Sequence, residues 1–226
     1  MTENKYITTA DGDRKFTADG EVREYLGNTI VCMKTDPNDY IVQLGCLVQE
    51  ELQKLSAGEK YYFLPPSSFH MSVISLLNDW SRGTNLWPNY LDGASMAESD
   101  RVMAQKVAEI PKPQNIEMRI SEITAKRFEL SPASEEVRQS LKDYRDQIAR
   151  VTGIKRGNHD SYQFHLSMCY LTQNLSEKEI EEVEGLLQRL NDKYVSQEKT
   201  ISFPEPSFVI FNDMTAYSED LNQRIE

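Results

Sequence analysis

Two stretches decide how this chain folds: Ser68-Phe-His-Met-Ser-Val-Ile-Ser-Leu76 and Gln163-Phe-His-Leu-Ser-Met-Cys-Tyr-Leu171. They share a Phe-His-x-Ser core at an offset of 95 residues. Both are dense in aromatic and large aliphatic residues, so each reads as a strand. On a strand, residues i and i+2 point the same way. His70 therefore shares a face with Ser72, and His165 with Ser167. Phe69, Met71 and Val73 face oppositely, as do Phe164, Leu166 and Met168, and these suit packing under helices. Ser68 and Gln163 have the parity of the polar face.

The same offset carries Pro37 to Pro132 and Gly58 to Gly153, a helix start and a helix stop. Asp36 and Pro37 open the first helix, with a stripe of Ile41, Leu44, Val48, Leu52 and Leu55. Ser131 and Pro132 open the second, with Val137, Leu141, Tyr144, Ile148 and Val151. The two stripes do not superpose in register, so either the helices are rotated differently or the correspondence is partly accidental. A duplicated strand–helix–strand unit, about 29–76 and 116–171, is the simplest account. It implies two pseudo-symmetric lobes of antiparallel-rich sheet, helices outside and a cleft between them.

Working outward, 28–34, 61–64, 116–123, 126–130, 200–203 and 208–211 read as further strands. Residues 97–109 and 176–195 read as helices, the second opened by a Ser176/Glu179 capping box. The class is α+β, without the βαβ alternation of a dinucleotide-binding sheet, a GxGxxG turn or a P-loop. Residues 26–212 form one bilobed domain, 1–25 a loose arm and 213–226 a charged, frayed tail. The segment 78–95 is long for a connection and carries both tryptophans, which suits a binding element or a lid. The alternative is a loop pinned to the surface by hydrophobic contacts.

Composition narrows the function. Of 226 residues, 39% are hydrophobic, enough for a core, and no apolar run reaches the ~20 residues of a membrane span. Cys32, Cys46 and Cys169 lack CxxC spacing and read as free thiols in a reducing, cytoplasmic setting. The net charge of −11 argues against a broad grip on duplex DNA. It leaves room for a small anionic substrate held by a few local donors. A soluble monomer without membrane association is expected.

Two of the chain's three histidines lie in the matched motifs. Paired imidazoles suit acid–base chemistry near neutral pH, and the hydroxyls beside them can donate to non-bridging phosphate oxygens. His70 and His165 are the candidate catalytic pair, and Ser72 and Ser167 the candidate phosphate ligands. In-line displacement at a phosphodiester follows, with one histidine taking a proton and the other protonating the leaving oxygen. The scheme needs neither metal nor cofactor. No third ligand sits at HExxH-like spacing to make a zinc site, and no G-x-S-x-G elbow makes either serine a nucleophile. Tyr62, Trp87, Arg156 and Gln163 are candidates for substrate contact. Trp80 and Tyr90 offer further stacking surfaces, and Lys155, Arg156 and His159 form a compact basic cluster near the second motif.

The motifs His70-Met71-Ser72-Val73 and His165-Leu166-Ser167-Met168 resemble the signature of the 2H phosphoesterase superfamily. The segment from Phe63 to Ser72 and the Trp87-Pro88 loop are similar to a largely uncharacterised bacterial and fungal branch of it. The resemblance covers roughly residues 25 to 212. It implies metal-free cleavage or formation of 2′,5′ or cyclic phosphodiesters, often of 2′,3′-cyclic nucleotides or RNA ends. It also carries His70 and His165 over as the acid–base pair, and Ser72 and Ser167 as phosphate ligands. Serine stands at both positions where threonine is frequent, so the hydroxyl is kept and the methyl that stiffens χ1 is lost. The implied substrate is a small nucleotide or an RNA terminus. A cyclic-oligonucleotide hydrolase and a non-catalytic nucleotide- or RNA-end-binding protein are the alternatives on the same scaffold.

Overall fold

The structure, a computed structural model, describes residues 12–17 and 19–225. In chain order the elements are α1 (Gly12–Lys15), β1 (Gly27–Met33), α2 (Tyr40–Gln53), β2 (Tyr61–Phe63), β3 (His70–Asn78) and α3 (Met96–Val107). They continue as β4 (Ile116–Ile123), β5 (Arg127–Pro132), α4 (Glu135–Thr152), β6 (Phe164–Ser167) and β7 (Cys169–Leu171). The last are α5 (Glu177–Tyr194), β8 (Thr200–Phe203) and β9 (Ser207–Phe211). Seven strands form one sheet in the order β8-β4-β5-β6-β3-β1-β9, and β2 pairs with β7 in a second, two-stranded sheet. All of these pairings are antiparallel. The architecture is α+β, as the sequence indicates.

The strand pairing is pseudo-symmetric about the sheet's centre. β3 and β6 meet at the sheet's centre, with Met71 opposite Leu166, two residues that the 95-residue offset superposes. β1 flanks β3 as β5 flanks β6, and β9 and β4 lie next outward on either side. The helices also start at the offset, with Asp39 capping Ile41 in α2 and Ser134 capping Val137 in α4. Both starts differ in the same sense from the sequence reading. Asp36 is spent on an Asx turn to the Asn38 N–H, while Ser131 and Pro132 finish β5 opposite Arg119 and Met118. The two ends are not alike. Gly153 closes α4 with φ of 74°, a backbone state that costs glycine nothing. α2 stops earlier, at Gln53, and Gly58 opens a 3₁₀ turn instead.

The apolar faces of the two motif strands form the core floor: Phe69, Met71, Val73, Leu166 and Met168 are each fully buried. The predicted strand 163–171 breaks at Met168, and its two parts serve different sheets. The Met168 carbonyl accepts from the Leu64 N–H (2.9 Å) and from Gln49 Nε2 (2.7 Å), which pulls the chain out of the large sheet. Gln49 Nε2 also donates to the Leu64 carbonyl (2.8 Å), so one buried amide on α2 ties both segments adjoining the motifs.

The flanking segments differ from a loose arm and a frayed tail. Residues 1–11 lie outside the described residues, but Phe16 is buried, bridges to Val22 and packs on Tyr62 and Tyr170. At the other end Met214 is buried, and Arg224 makes a buried ion pair with Asp100 of α3 at 2.6 Å. Arg224 also donates to the carbonyls of Phe211 and Gly27, clasping β9 against β1. Both segments supply the large side chains that close the open face of the sheet. Among the described residues, no helix is long and apolar enough to cross a membrane. Cys32 and Cys169 are buried free thiols and Cys46 is a half-buried one.

Candidate active site

A cavity of about 270 Å³ lies on the polar face of β3 and β6, and His70, Ser72, His165 and Ser167 all line it. The sheet puts them there by parity alone: successive residues alternate between core and cavity across the Met71–Leu166 pair. The two imidazoles are held in the same way. His70 Nδ1 lies 2.7 Å from the Ser68 carbonyl, and His165 Nδ1 lies 3.1 Å from the Gln163 carbonyl. A carbonyl oxygen only accepts, so Nδ1 carries the proton in each ring and Nε2 keeps its lone pair. Among the described residues, neither the Ser72 nor the Ser167 hydroxyl has a hydrogen-bond partner.

Burial is the main cause that pushes both histidines down from 6.5, each to about 4. The Ser68 carbonyl opposes this at His70, while His165 and Lys15 add to it. At His165 the Arg127 charge, which flanks the motif because Arg127 sits opposite Ser167, is the second cause. Both rings are thus neutral at pH 7 in the free protein, and an anion in the cavity favours protonation of either.

The cavity wall is cationic although the chain is acidic. Lys15, Arg145 and Arg156 line it, and no Asp or Glu is among the described lining residues. Arg156 is fixed by Nε and Nη2 on the carbonyls of Ser75 (3.3 Å) and Leu76 (2.9 Å). Of its predicted companions, Lys155 is not among the described lining residues, while His159 is. Lys155 pairs with Asp160 at 3.1 Å, and His159 is buried against Asp146 at 2.7 Å. Asp146, His159 and Asp160 stand within 4.8 Å of one another, but Lys142 and Lys155 already meet the two carboxylates. Such a pre-neutralised set is a poor cation site.

Three other candidates are not brought to the cavity. Trp87 is buried in its own loop, donating from Nε1 to the Leu91 carbonyl (3.3 Å), with the Arg82 guanidinium 4.1 Å over its ring. It pins the loop, and the loop is two 3₁₀ turns, Asp79–Ser81 and Asn89–Leu91, with bends between. Tyr62 is covered by Phe16, ring centroids 4.5 Å apart, and its cross-strand partner Tyr170 lines the cavity instead. The Gln163 amide donates to the Leu130 and Phe164 carbonyls, so this residue serves the site through its backbone. Trp80 is exposed outside the cavity, and the Tyr90 hydroxyl donates to the Thr152 carbonyl (2.5 Å).

Sequence reasoning missed Lys15, Arg145, Tyr162 and Tyr217. Tyr217 packs on the His70 ring at 4.3 Å, and Tyr162 donates to the Ser72 carbonyl at 3.2 Å. The one available signal was the tyrosine at 162 standing one residue before the polar-face parity at Gln163. Lys15 and Tyr217 lie in segments with no periodicity to read, and Arg145 stands beside Tyr144 at the edge of the α4 stripe.

Residues 15–129 match a family described as 2H-phosphodiesterase, a domain of unknown function (DUF1868). The chain belongs to this 2H family. The match takes in His70 and Ser72 and stops before His165, which joins the site through the β3–β6 pairing. No curated protein matches the sequence. Among solved structures, a conserved protein of unknown function, ATU0111 from Agrobacterium tumefaciens strain C58, is similar with a TM-score of 0.85. It is 21% identical over 96% of this chain and 97% of its own, and so shares the fold. More distant are a phosphoesterase (TM-score 0.48, 10% identity, 86% of this chain and 95% of its own) and Escherichia coli LigT (0.44, 10%, 86% and 94%). The 2H membership agrees with the antiparallel sheet and supports phosphoester chemistry in general terms.

Proposed function

We propose that this 2H protein is a metal-independent phosphodiesterase that hydrolyses 2′,3′-cyclic, or related 2′-linked, phosphodiesters of nucleotides or RNA ends. The observation that carries the reading is the matched tethering of two imidazoles by Nδ1 beside two unengaged hydroxyls in one cavity. A binding site needs donors, but it has no use for two oriented ring nitrogens with free lone pairs.

The diester phosphate sits between the strands and accepts from the Ser72 and Ser167 hydroxyls. Its charge raises the affinity of one imidazole for a proton. The neutral histidine takes a proton from the attacking water as the new P–O bond forms. The protonated one gives its proton to the leaving 2′ or 3′ oxygen as that P–O bond breaks. The product is a monophosphate, and exchange of one proton between the histidines through water restores the site. The cavity's size, about 270 Å³ and just under the ~300–1,000 Å³ of common small-molecule pockets, suits a small ligand. The net charge of −11 disfavours long RNA.

The test is hydrolysis of the four 2′,3′-cyclic mononucleotides and of a short RNA ending in a cyclic phosphate, with EDTA present. A 2′- or 3′-monophosphate is expected, with kcat reduced ~10²–10⁴-fold in His70→Ala and in His165→Ala. Strong inhibition by EDTA, or full activity in either variant, refutes the mechanism. Ligand binding without product assigns the cavity to a nucleotide-binding protein.

A further inference from the structure

Helix α4 carries a cation into the cavity wall. Arg145 is 6% exposed and lines the cavity, and its Nε is buried without an acceptor. The guanidinium lies 4.3 Å from the centroid of the Tyr162 ring and 5.9 Å from that of Phe164, within cation–π range of both. Nearby acids do not balance it. Asp146 is engaged by Lys142 and His159, and Asp160 by Lys155. A buried charge without a hydrogen-bonded counterion is costly, and such a cost persists where a ligand offsets it.

Its position points to the ligand. The Tyr162 ring lies 6.2 Å from the His165 ring and is anchored through its hydroxyl to Ser72, so Arg145 stands one aromatic ring beyond the histidine pair. Arg156 faces the same cavity with only Nε and Nη2 committed, and the side chain of Asn158 adds an amide. Two guanidinium groups in a wall without carboxylates match the planar, bidentate recognition of a phosphoryl group.

We propose that Arg145 and Arg156 form a second anion subsite, so that the substrate carries a further phosphoryl group beside the scissile diester. The catalytic context rests on the phosphodiesterase reading, but the subsite is tested by binding alone. Calorimetric titration would compare adenosine 2′-monophosphate with adenosine 2′,5′- and 3′,5′-bisphosphates on the wild type, Arg145→Met and Arg156→Met. One bisphosphate is expected to bind the wild type at least ~10-fold more tightly than the monophosphate. Each variant should bring that ratio close to one while leaving monophosphate affinity little changed. A wild-type ratio near one, no binding at all, or a ratio preserved in both variants overturns the proposal. Arg156→Met and the wild-type ratio decide the matter if Arg145→Met does not fold. Hydrolysis of 2′,3′-cyclic AMP, run in parallel, reports the catalytic reading separately. A bisphosphate preference without turnover keeps the subsite and removes the hydrolase, and turnover without preference does the reverse.

Discussion

The strongest consequence of the buried histidine pair is an acid-shifted rate profile. Acid–base catalysis needs one imidazole protonated and the other neutral, yet burial holds both near 4 in the free protein. Above that value each pH unit removes tenfold of the singly protonated form, so kcat/KM should fall ~100-fold between pH 5 and pH 7. Substrate charge raises the pair, so kcat should keep its plateau to a higher pH than kcat/KM does. Removing a neighbouring cation sharpens the test. Arg127 is the second cause of the His165 depression, after burial, so Arg127→Gln should move the falling limb of kcat/KM toward neutral pH. The assay is initial-rate hydrolysis of 2′,3′-cyclic CMP from pH 4.5 to 8 at constant ionic strength. A kcat/KM that is flat or rising between pH 5 and 7 refutes the reasoning, as does an Arg127→Gln profile displaced toward acid.

Three further outcomes follow from the packing. Arg224→Ala leaves Asp100 buried without its partner, and a loss of ~3–5 kcal/mol in urea-unfolding free energy is expected. Gly45→Ala places a methyl 2.6 Å from the ring of Phe69, which is fully buried and adjoins His70. Overpacking of about 1–3 kcal/mol should outweigh the ~1 kcal/mol helix-propensity gain, lowering both Tm and kcat. Trp87→Ala should cost ~3–5 kcal/mol of stability but leave KM within twofold at a temperature where the variant is folded, because the ring lies outside the cavity. A large rise in KM would return Trp87 to the substrate.

The motif strands were legible because a strand's two faces are set by parity, a property of neighbouring residues. The offset of 95 was legible as a recurring motif, and it superposes the central pair Met71–Leu166 and the observed caps Asp39 and Ser134, although both helix starts were read three residues early. Asp36 and Pro37 misled by three residues because two aspartates competed for the cap, and only the turn geometry decides between them. The break at Met168 was hidden because its cause, Gln49, lies 119 residues away. Arg145 was hidden because it stands beside Tyr144 at the edge of the helix's buried stripe, where residue type alone suggests a solvated charge. Tyr217 was hidden in a segment whose charge pattern reads as solvated, although its ring covers His70. Trp87 shows the converse, since an aromatic near a motif is visible in sequence and its direction is not.

The clasp made by Arg224 gives the two halves of the sheet different histories. The second half has β4, the counterpart of β9, immediately before β5 in the chain, so β4, β5 and β6 emerge from the ribosome in that order and only the edge strand β8 is added late. The first half borrows β9 from residues 207–211, and the loop that β1 must close to reach it spans most of the protein. Long-range pairings of this kind form late, because chain entropy is lost before contacts repay it. During synthesis β1 therefore presents an unpaired edge until β9 arrives, and the hollow beside His70 takes shape only when Tyr217 follows it into place. Maturation of the cavity is thereby coupled to synthesis of residues 207–217, and a product ending before them would hold both histidines yet leave one wall of the hollow unbuilt.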